Sequence, residues 1–295
     1  MFLKYIKAVG TGKKHNYDLT KEQMYDAVKM ILDNKVYPEQ ISAFLLGLRL
    51  KPETTDEFLG ILQAFDEYII KTPVENSVEF GYPFDGKRNN PYLFSLIAKY
   101  LKPYNINIII NTDKLQAGKS GITTKDISTN IDLEPNIYCF DRKETFKELS
   151  DLTTTRDRLG IRTAFNTVER LTNVANSDIA FLGVFHKPFM KKYVNIFSSR
   201  YKKLVIVKGN EGTSEIFSKC QYWIAKDNNI QEYTIDPKDF GINYTKSWDR
   251  ICIEHSLQAI QNPSDEFEKL AKLNAAFILF CSDKYNSIKQ AYESL

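Results

Sequence analysis

Two short runs, Ile179-Ala180-Phe181-Leu182-Gly183-Val184 and Leu204-Val205-Ile206-Val207, are apolar almost without interruption. A strand with one wet face alternates apolar and polar residues, because successive side chains point to opposite faces. A run without alternation must be covered on both faces, as strands are in a parallel sheet sandwiched between helices. Ile106-Asn107-Ile108-Ile109-Ile110 and Ile137-Tyr138-Cys139-Phe140 read as further strands, and Val78-Glu79-Phe80 as a short apolar-leaning one. Tyr222-Trp223-Ile224 and Tyr233-Thr234-Ile235 are shorter and suit antiparallel edges. From about residue 73 strands alternate with helices, ending in a helix from Ser264 through Cys281.

Residues 1 to about 72 carry helical patterns only. Thr20-Lys21-Glu22-Gln23 and Thr54-Thr55-Asp56-Glu57 are capping boxes, and Pro38 stands at the first position of a third helix. Their stripes are Met24, Ala27, Val28, Ile31; Ile41, Phe44, Leu45, Leu48; and Phe58, Leu62, Phe65, Ile69. The expected fold class is α/β: a small all-helical domain over 1–72, then a larger α/β domain over 73–295 with a mostly parallel central sheet flanked by helices. With 295 residues, 43% of them hydrophobic, the chain can bury such a core.

The loop Gly81-Tyr82-Pro83-Phe84-Asp85-Gly86-Lys87-Arg88-Asn89-Asn90-Pro91 joins the first strand to a helix-like run, Tyr92 to Leu101. That is where α/β domains grip phosphates. Phosphate cradles use glycines so that bare N–H groups approach the ligand. Here Pro83 lacks an N–H and Phe84 is bulky, so Lys87 and Arg88 are expected to supply mobile surface charge instead. Lys208-Gly209-Asn210-Glu211-Gly212-Thr213-Ser214-Glu215 is a second turn-rich stretch after a buried strand, and is either a ligand contact or a plain connection.

Cys139, Cys220, Cys252 and Cys281 match no zinc spacing and, in apolar neighbourhoods, are expected to be reduced core residues. His15, His186 and His255 fit surface or structural roles, and no nucleophile–base arrangement follows from spacing. No apolar run reaches the roughly 18 residues of a membrane span, and Met1-Phe2-Leu3-Lys4-Tyr5-Ile6-Lys7 lacks a signal-peptide core, so a cytoplasmic protein is expected.

Arg156-Asp157-Arg158-Leu159-Gly160-Ile161-Arg162-Thr163-Ala164-Phe165-Asn166-Thr167, followed by Leu171-Thr172-Asn173, is similar to the R-x-x-L-G-x-R-T-x-F-N…L-T-N-P signature of the anthranilate phosphoribosyltransferase group of family 3 glycosyltransferases. Ser42 through Thr54, Gly183-Val184 and Leu273-Asn274-Ala275-Ala276 also resemble that group. The resemblance implies a nucleoside phosphorylase/phosphoribosyltransferase-like fold. It also implies a homodimer formed through the helical domain, which a helix from about 160–177 is expected to join. It departs from the group at the reaction centre. Tyr82, Pro83 and Phe84 replace the middle of G-T-G-G-D, Ile110-Asn111-Thr112-Asp113 replaces K-H-G-N, and Ser214-Glu215 leaves one carboxylate of a magnesium-binding pair. In the transferase alternative, Gly81, Asp85, Ser120, Arg156 and Glu215 would bind phosphoribosyl pyrophosphate with Mg²⁺ and an aromatic or nitrogenous acceptor such as anthranilate, Arg156 holding the acceptor. The losses argue against that chemistry, which rests on positioning and charge stabilisation.

Gly10-Thr11-Gly12-Lys13-Lys14 and the Pro83-to-Arg88 loop resemble the YbiB-type paralogues of the group. The resemblance implies a non-catalytic homodimer that binds single- or double-stranded DNA or RNA with little sequence preference, without cofactor or metal. Net charge is only +3, so clustering must carry the case. Residues 186–208 hold Lys187, Lys191, Lys192, Arg200, Lys202, Lys203 and Lys208 with no Asp or Glu. Residues 86–125 hold Lys87, Arg88, Lys99, Lys102, Lys114, Lys119 and Lys125 against Asp113. Arg156, Arg158, Arg162 and Arg170 form a third group. Tyr82, Phe84, Tyr92, Phe189, Tyr193 and Tyr201 are interleaved. Clustered cations with aromatic faces are how single-strand binders work. The expected nucleic-acid contacts are Lys87, Arg88, Lys114, Lys119, Arg156, Arg158, Lys187, Lys191, Lys192, Arg200, Lys202 and Lys203.

Overall fold

The computed structural model describes residues 2–227 and 229–295; Met1, named above, lies outside the described residues. The chain begins with four helices: α1 (Leu3–Gly10), α2 (Lys21–Leu32), α3 (Pro38–Leu50) and α4 (Thr55–Asp66). Both capping boxes form: Thr20 and Gln23 cap α2, and Thr54 and Glu57 cap α4. The three stripes are buried as the periodicity predicts. Helix α1 has no capping side chain at Phe2, and so carries no start signal in the sequence. Gly60 lets α4 close on α2, since a β-carbon there would lie 2.4 Å from the Lys21 carbonyl oxygen. The capping residue Glu57 is itself buried and also accepts from the Leu19 N–H (3.0 Å) and Lys51 Nζ (2.9 Å).

The larger unit runs β1 (Ser77–Gly81), α5 (Phe94–Leu101), β2 (Asn107–Thr112), α6 (Thr124–Ser128), β3 (Ile137–Asp141), α7 (Arg142–Thr145), α8 (Lys147–Asp151), α9 (Thr153–Leu159), α10 (Phe165–Val168), β4 (Ile179–Gly183), α11 (Phe189–Phe197), β5 (Lys203–Val207), β6 (Cys220–Lys226), β7 (Asn229–Ile235), α12 (Ile253–Gln261), α13 (Asp265–Cys281) and α14 (Ile288–Ser294). The strands form one sheet in the order β3-β2-β1-β4-β5-β6-β7. The first five are parallel, and β6 and β7 are antiparallel. Of the two runs expected as edges, β7 is the edge and β6 is interior.

The continuous apolar runs divide their side chains between two cores. Phe181, Val205 and Val207 pack with α5 and α13 on one face. Ala180, Leu182, Leu204 and Ile206 face the opposite way, into the core that also contains the N-terminal helices. The helical unit is thus docked on one face of the sheet, with Phe65 against Phe146 and Phe165 at 5.0 and 5.2 Å between ring centroids. The helix expected over about 160–177 is confined to α10. Asn173 and Asn176 adopt left-handed backbone (φ 50° and 53°), which ends any helix there. All four cysteines are unpaired, but only Cys281 is a core residue; Cys139, Cys220 and Cys252 are partly buried, and burial pushes the Cys139 and Cys220 thiols up to about 11 and about 12. Among the described residues no helix is long and apolar enough to cross a membrane.

Glu79 sits in the middle of β1 with no exposed surface. Its carboxylate accepts from Asn111 Nδ2 (2.7 Å), the Asn173 N–H (3.2 Å) and the Tyr201 hydroxyl. Burial raises its pKa above the usual 4.5, against the pull of those donors. The native state therefore holds this proton more tightly than the unfolded chain does. Its stabilising effect is complete below pH 4.5 and is lost as pH rises through the raised value. Glu79→Gln keeps a neutral acceptor, so its melting temperature relative to the parent should increase as pH is raised from 4.5 toward neutrality. Parallel pH-melting curves for the two proteins would count against this assignment.

Candidate functional site at the carboxyl ends of the strands

The chain lays down β1, β2 and β3 outward, then returns to place β4 on the other side of β1. The crevice beyond the ends of β1 and β4 is therefore the point where strand order reverses, the usual ligand site of an open α/β sheet. Here it is filled from below by Arg170. Its Nε and Nη2 donate to the Gly81 carbonyl (3.0 and 2.6 Å), Nη1 donates to the Gly183 carbonyl (3.0 Å), and Nη2 also reaches the Gly212 carbonyl. The guanidinium ties together both strand ends and the loop after β5. That loop presses so closely that a β-carbon on Gly183 would lie 2.2 Å from Thr213 backbone.

The loop from Tyr82 to Leu93 forms the centre of the site, and its chemistry is internal. Lys87, expected to be mobile surface charge, is 1% exposed. Its ammonium pairs with Glu215 Oε2, donates to the Pro91 carbonyl (2.8 Å) and lies 4.8 Å from the ring centroids of Tyr92 and Phe217. Glu215 Oε1 accepts from the Tyr82 hydroxyl (3.0 Å) and the Leu93 N–H (2.6 Å). A buried ammonium needs a counter-charge, and Glu215 is the carboxylate that supplies it. Burial and that carboxylate hold the Tyr82 phenol well above its ordinary pKa. The Glu211 carboxylate accepts from three successive backbone N–H groups, those of Arg88, Asn89 (3.0 Å) and Asn90 (3.4 Å). Consecutive N–H groups of this kind make an anion site, and the chain's own carboxylate occupies it.

Arg156, expected at an acceptor or a phosphate, is 1% exposed and bidentate to Glu169 (2.7 and 2.8 Å). Glu169 also takes a bond from Arg142, whose Nε pairs with Asp113. Burial pushes Glu169 upward, but Arg156 and Arg142 more than offset it, so its pKa lies below the ordinary carboxylate range. Asp113, Arg142, Glu169 and Arg156 make a neutral buried chain between the end of β2 and α10. Phe84 is buried too, its ring 4.2 Å from the Arg142 guanidinium carbon.

The other expected residues separate into buried and exposed sets. Asp85 is buried against Lys119 (3.7 Å) and Arg162 (3.4 Å), and its Oδ1 has no hydrogen-bond partner. Lys119 donates to the Gly86 and Glu211 carbonyls (3.2 and 2.7 Å), and burial lowers its pKa. Lys203 lies within β5 and bonds the Cys281 carbonyl and Asp283, so it faces no outside ligand. Arg200 holds Asp66 (2.7 Å) and the Thr172 carbonyl (2.8 Å), clamping the helical unit to the sheet. Lys192 donates to the Glu53 carbonyl (2.8 Å). Lys114, Ser120, Arg158, Lys187, Lys191 and Lys202 are exposed and Arg88 half-buried, with Lys187 paired to Glu232 and Lys202 to Asp178. The segment Tyr244-Thr245-Lys246-Ser247-Trp248-Asp249-Arg250 also belongs to the rim. Its neighbour Ile251 donates its N–H to the Arg88 carbonyl (2.8 Å), and Arg250 reaches the Ser120 carbonyl (3.1 Å). The alternation of aromatic and basic residues over 244–250 is the signal in the sequence that points to it.

A divalent cation with a phosphorylated ligand does not fit this donor set. Both Glu215 oxygens are engaged by internal donors, the adjacent position is Ser214, and among the described residues no three His, Cys, Asp or Glu side chains gather to hold a metal. Lys87→Met leaves Glu215 buried and unpaired and should cost about 3–5 kcal/mol in urea denaturation. The pair Lys87→Met with Glu215→Gln should recover most of that loss. A single-mutant effect within about 0.5 kcal/mol would mean a solvated lysine and no such pair.

The sequence matches "Glycosyl transferase family, helical bundle domain" over residues 3–68 and "Glycosyl transferase family, a/b domain" over residues 113–295. It is 22% identical to the anthranilate phosphoribosyltransferase of Aquifex aeolicus, across 94% of this chain and 88% of that protein. Against the anthranilate phosphoribosyltransferase of Saccharolobus islandicus (strain L.S.2.15 / Lassen #1) it is 26% identical, across 94% and 86%. The Saccharomyces cerevisiae anthranilate phosphoribosyltransferase, solved in complex with PRPP and Mg, shares the fold with a TM-score of 0.75 at 15% identity, over 99% of this chain and 91% of that one. From its helical bundle to its last helix, the chain belongs to the family 3 glycosyl transferases and carries the anthranilate phosphoribosyltransferase fold.

Proposed function

We propose that this chain is a non-catalytic nucleic-acid-binding protein on a phosphoribosyltransferase scaffold. The supporting observation is the contrast between floor and rim. At the floor, Lys87 is paired with Glu215, Arg170 is held by the Gly81, Gly183 and Gly212 carbonyls, and Glu211 occupies the N–H groups of residues 88–90, so these groups are engaged internally. At the rim, the turn after β4 exposes Phe185 (62%) and Phe189 (45%) beside Lys187 and Lys191. Exposed rings next to lysines suit single-stranded nucleic acid, where bases stack and phosphates meet cations. Such contacts confer little base specificity.

Fluorescence anisotropy of a labelled single-stranded oligonucleotide at several salt concentrations tests this. The logarithm of affinity should fall linearly with that of salt. Lys191→Glu should reduce the slope by about 0.7, the contribution of one phosphate contact on a single strand. Phosphoribosyl pyrophosphate with Mg²⁺ should not compete. Absence of binding at low salt would refute the proposal and bring a transferase assay with a panel of acceptors forward.

A second copy of the chain is proposed to cover the groove between α1 and α3. The groove measures about 870 Å³, is lined by Ile6, Val9, Ala43, Leu46 and Leu50, and leaves Leu50 73% exposed. Sedimentation should give a dimer that Leu50→Asp dissociates. A parent protein that sediments as a monomer at micromolar concentration would rule this interface out.

A further inference from the structure

Beside the filled crevice lies a pocket of about 360 Å³, bounded by Phe185, Phe217 and Tyr244 with Asn89, Asn90 and Lys246. That is near the lower end of the roughly 300–1,000 Å³ typical of small-molecule sites. Its apolar walls are aromatic: Phe217 and Tyr244 lie 5.7 Å apart between centroids, and Phe185 turns most of its ring to solvent. The Lys87 ammonium sits against Phe217, so that ring is already fixed by its inner contacts. The polar wall is Asn89, Asn90, Ser218 and Glu211, whose carboxylate is engaged by backbone N–H groups. The backbone N–H groups of Asn89 and Asn90 are committed to Glu211, but neither side-chain amide has a hydrogen-bond partner among the described residues. Asn90 is only 4% exposed. Neither amide is among the buried atoms without a partner, so both remain open to water and to a ligand in the pocket. Lys246, on the outer edge, is exposed and forms no ion pair among the described residues.

We propose that this pocket receives one unstacked nucleobase of a bound single strand. The base would stack between Phe185 and Tyr244, its edge would meet the amides of Asn89 and Asn90, and Lys246 would meet the adjoining phosphate. The chemistry is that of single-strand recognition: rings present a face to any base, carboxamides pair with base-edge donors and acceptors, and a free ammonium neutralises phosphate. The inference rests on the nucleic-acid reading above and adds to it a defined subsite.

Anisotropy with two fluorescein-labelled oligomers of equal length separates the two ideas. One is oligothymidylate, and the other is the same backbone carrying abasic residues. Phe185 is exposed, so Phe185→Ala should fold normally. It should weaken oligothymidylate binding about tenfold, the typical effect of losing one stacked base, and leave the salt slope unchanged. The same substitution should leave binding of the abasic oligomer unaltered. Lys246→Ala should instead lower the salt slope by about 0.7. If the parent and Phe185→Ala bind oligothymidylate equally, with the steep salt dependence intact, the pocket is overturned and the nucleic-acid reading stands. If the parent binds neither oligomer at low salt, both are overturned.

Discussion

A lysine ammonium cannot be enclosed in protein without a partner, and in this chain the enclosed ammonium of Lys87 determines how the carboxyl end of the sheet is built. Taking each ion from water costs several kcal/mol, and a close opposite charge with additional hydrogen bonds must offset it. Glu215 supplies the charge from 128 residues away. The Pro91 carbonyl, the Tyr82 hydroxyl and the Leu93 N–H supply the hydrogen bonds. The loop after β1 is thereby locked to the loop after β5. Arg170 completes the closure beneath by bonding both strand ends.

Chemistry at a strand-order reversal needs unspent donors and acceptors aimed into the crevice. This crevice has the right place in the fold, but its groups bond to one another. Glu211 occupies the N–H groups of residues 88–90, much as an external anion would. The chain from Asp113 through Arg142 and Glu169 to Arg156 does the same toward the helical unit, where Arg156 is held on both guanidinium nitrogens. The family's sheet topology is thus retained in this chain, while polar groups at the carboxyl ends of its strands are engaged in internal bonds. The fold depends on buried apolar faces, which are intact. Function depends on particular side chains, and at the floor one buried acceptor, Asp85 Oδ1, stays without a hydrogen-bond partner.

The fold was legible where local sequence dictates it. Val205 and Val207 face one core and Leu204 and Ile206 the other, so β5 could only be a strand covered on both sides. The capping boxes of α2 and α4 announced themselves, whereas α1 has no capping side chain to announce it. The helix expected across 160–177 is confined to Phe165–Val168 between left-handed backbone at Gly160 and at Asn173, a conformation that helical periodicity does not disclose. At the site, legibility failed for one physical reason. Lys87 and Lys191 look alike in sequence, and only a carboxylate distant along the chain makes one of them an interior residue. The same holds for Arg156, whose partner Glu169 lies on another helix, and for Lys203, whose partners lie at the end of α13.

Under the nucleic-acid proposal, the charge left after these pairings places the polyanion at the rim and not at the floor. Glu215, Glu169, Asp113 and Asp66 neutralise the inner cations Lys87, Arg156, Arg142 and Arg200. The outer cations are Arg88, Lys114, Arg158, Lys191 and Lys246, none in an ion pair among the described residues. Lys187 is paired with Glu232, but both side chains are about half exposed, at 50% and 43%. Exposed pairs of this kind are worth only about 0–1 kcal/mol, so a phosphate can take the lysine from its carboxylate at little cost. The pairings remove cations and carboxylates in equal number, so the net charge of +3 is carried by the groups outside them. Phe185, Tyr244 and Lys246 line one pocket, so under the nucleic-acid proposal a stacking face and a phosphate contact come together there.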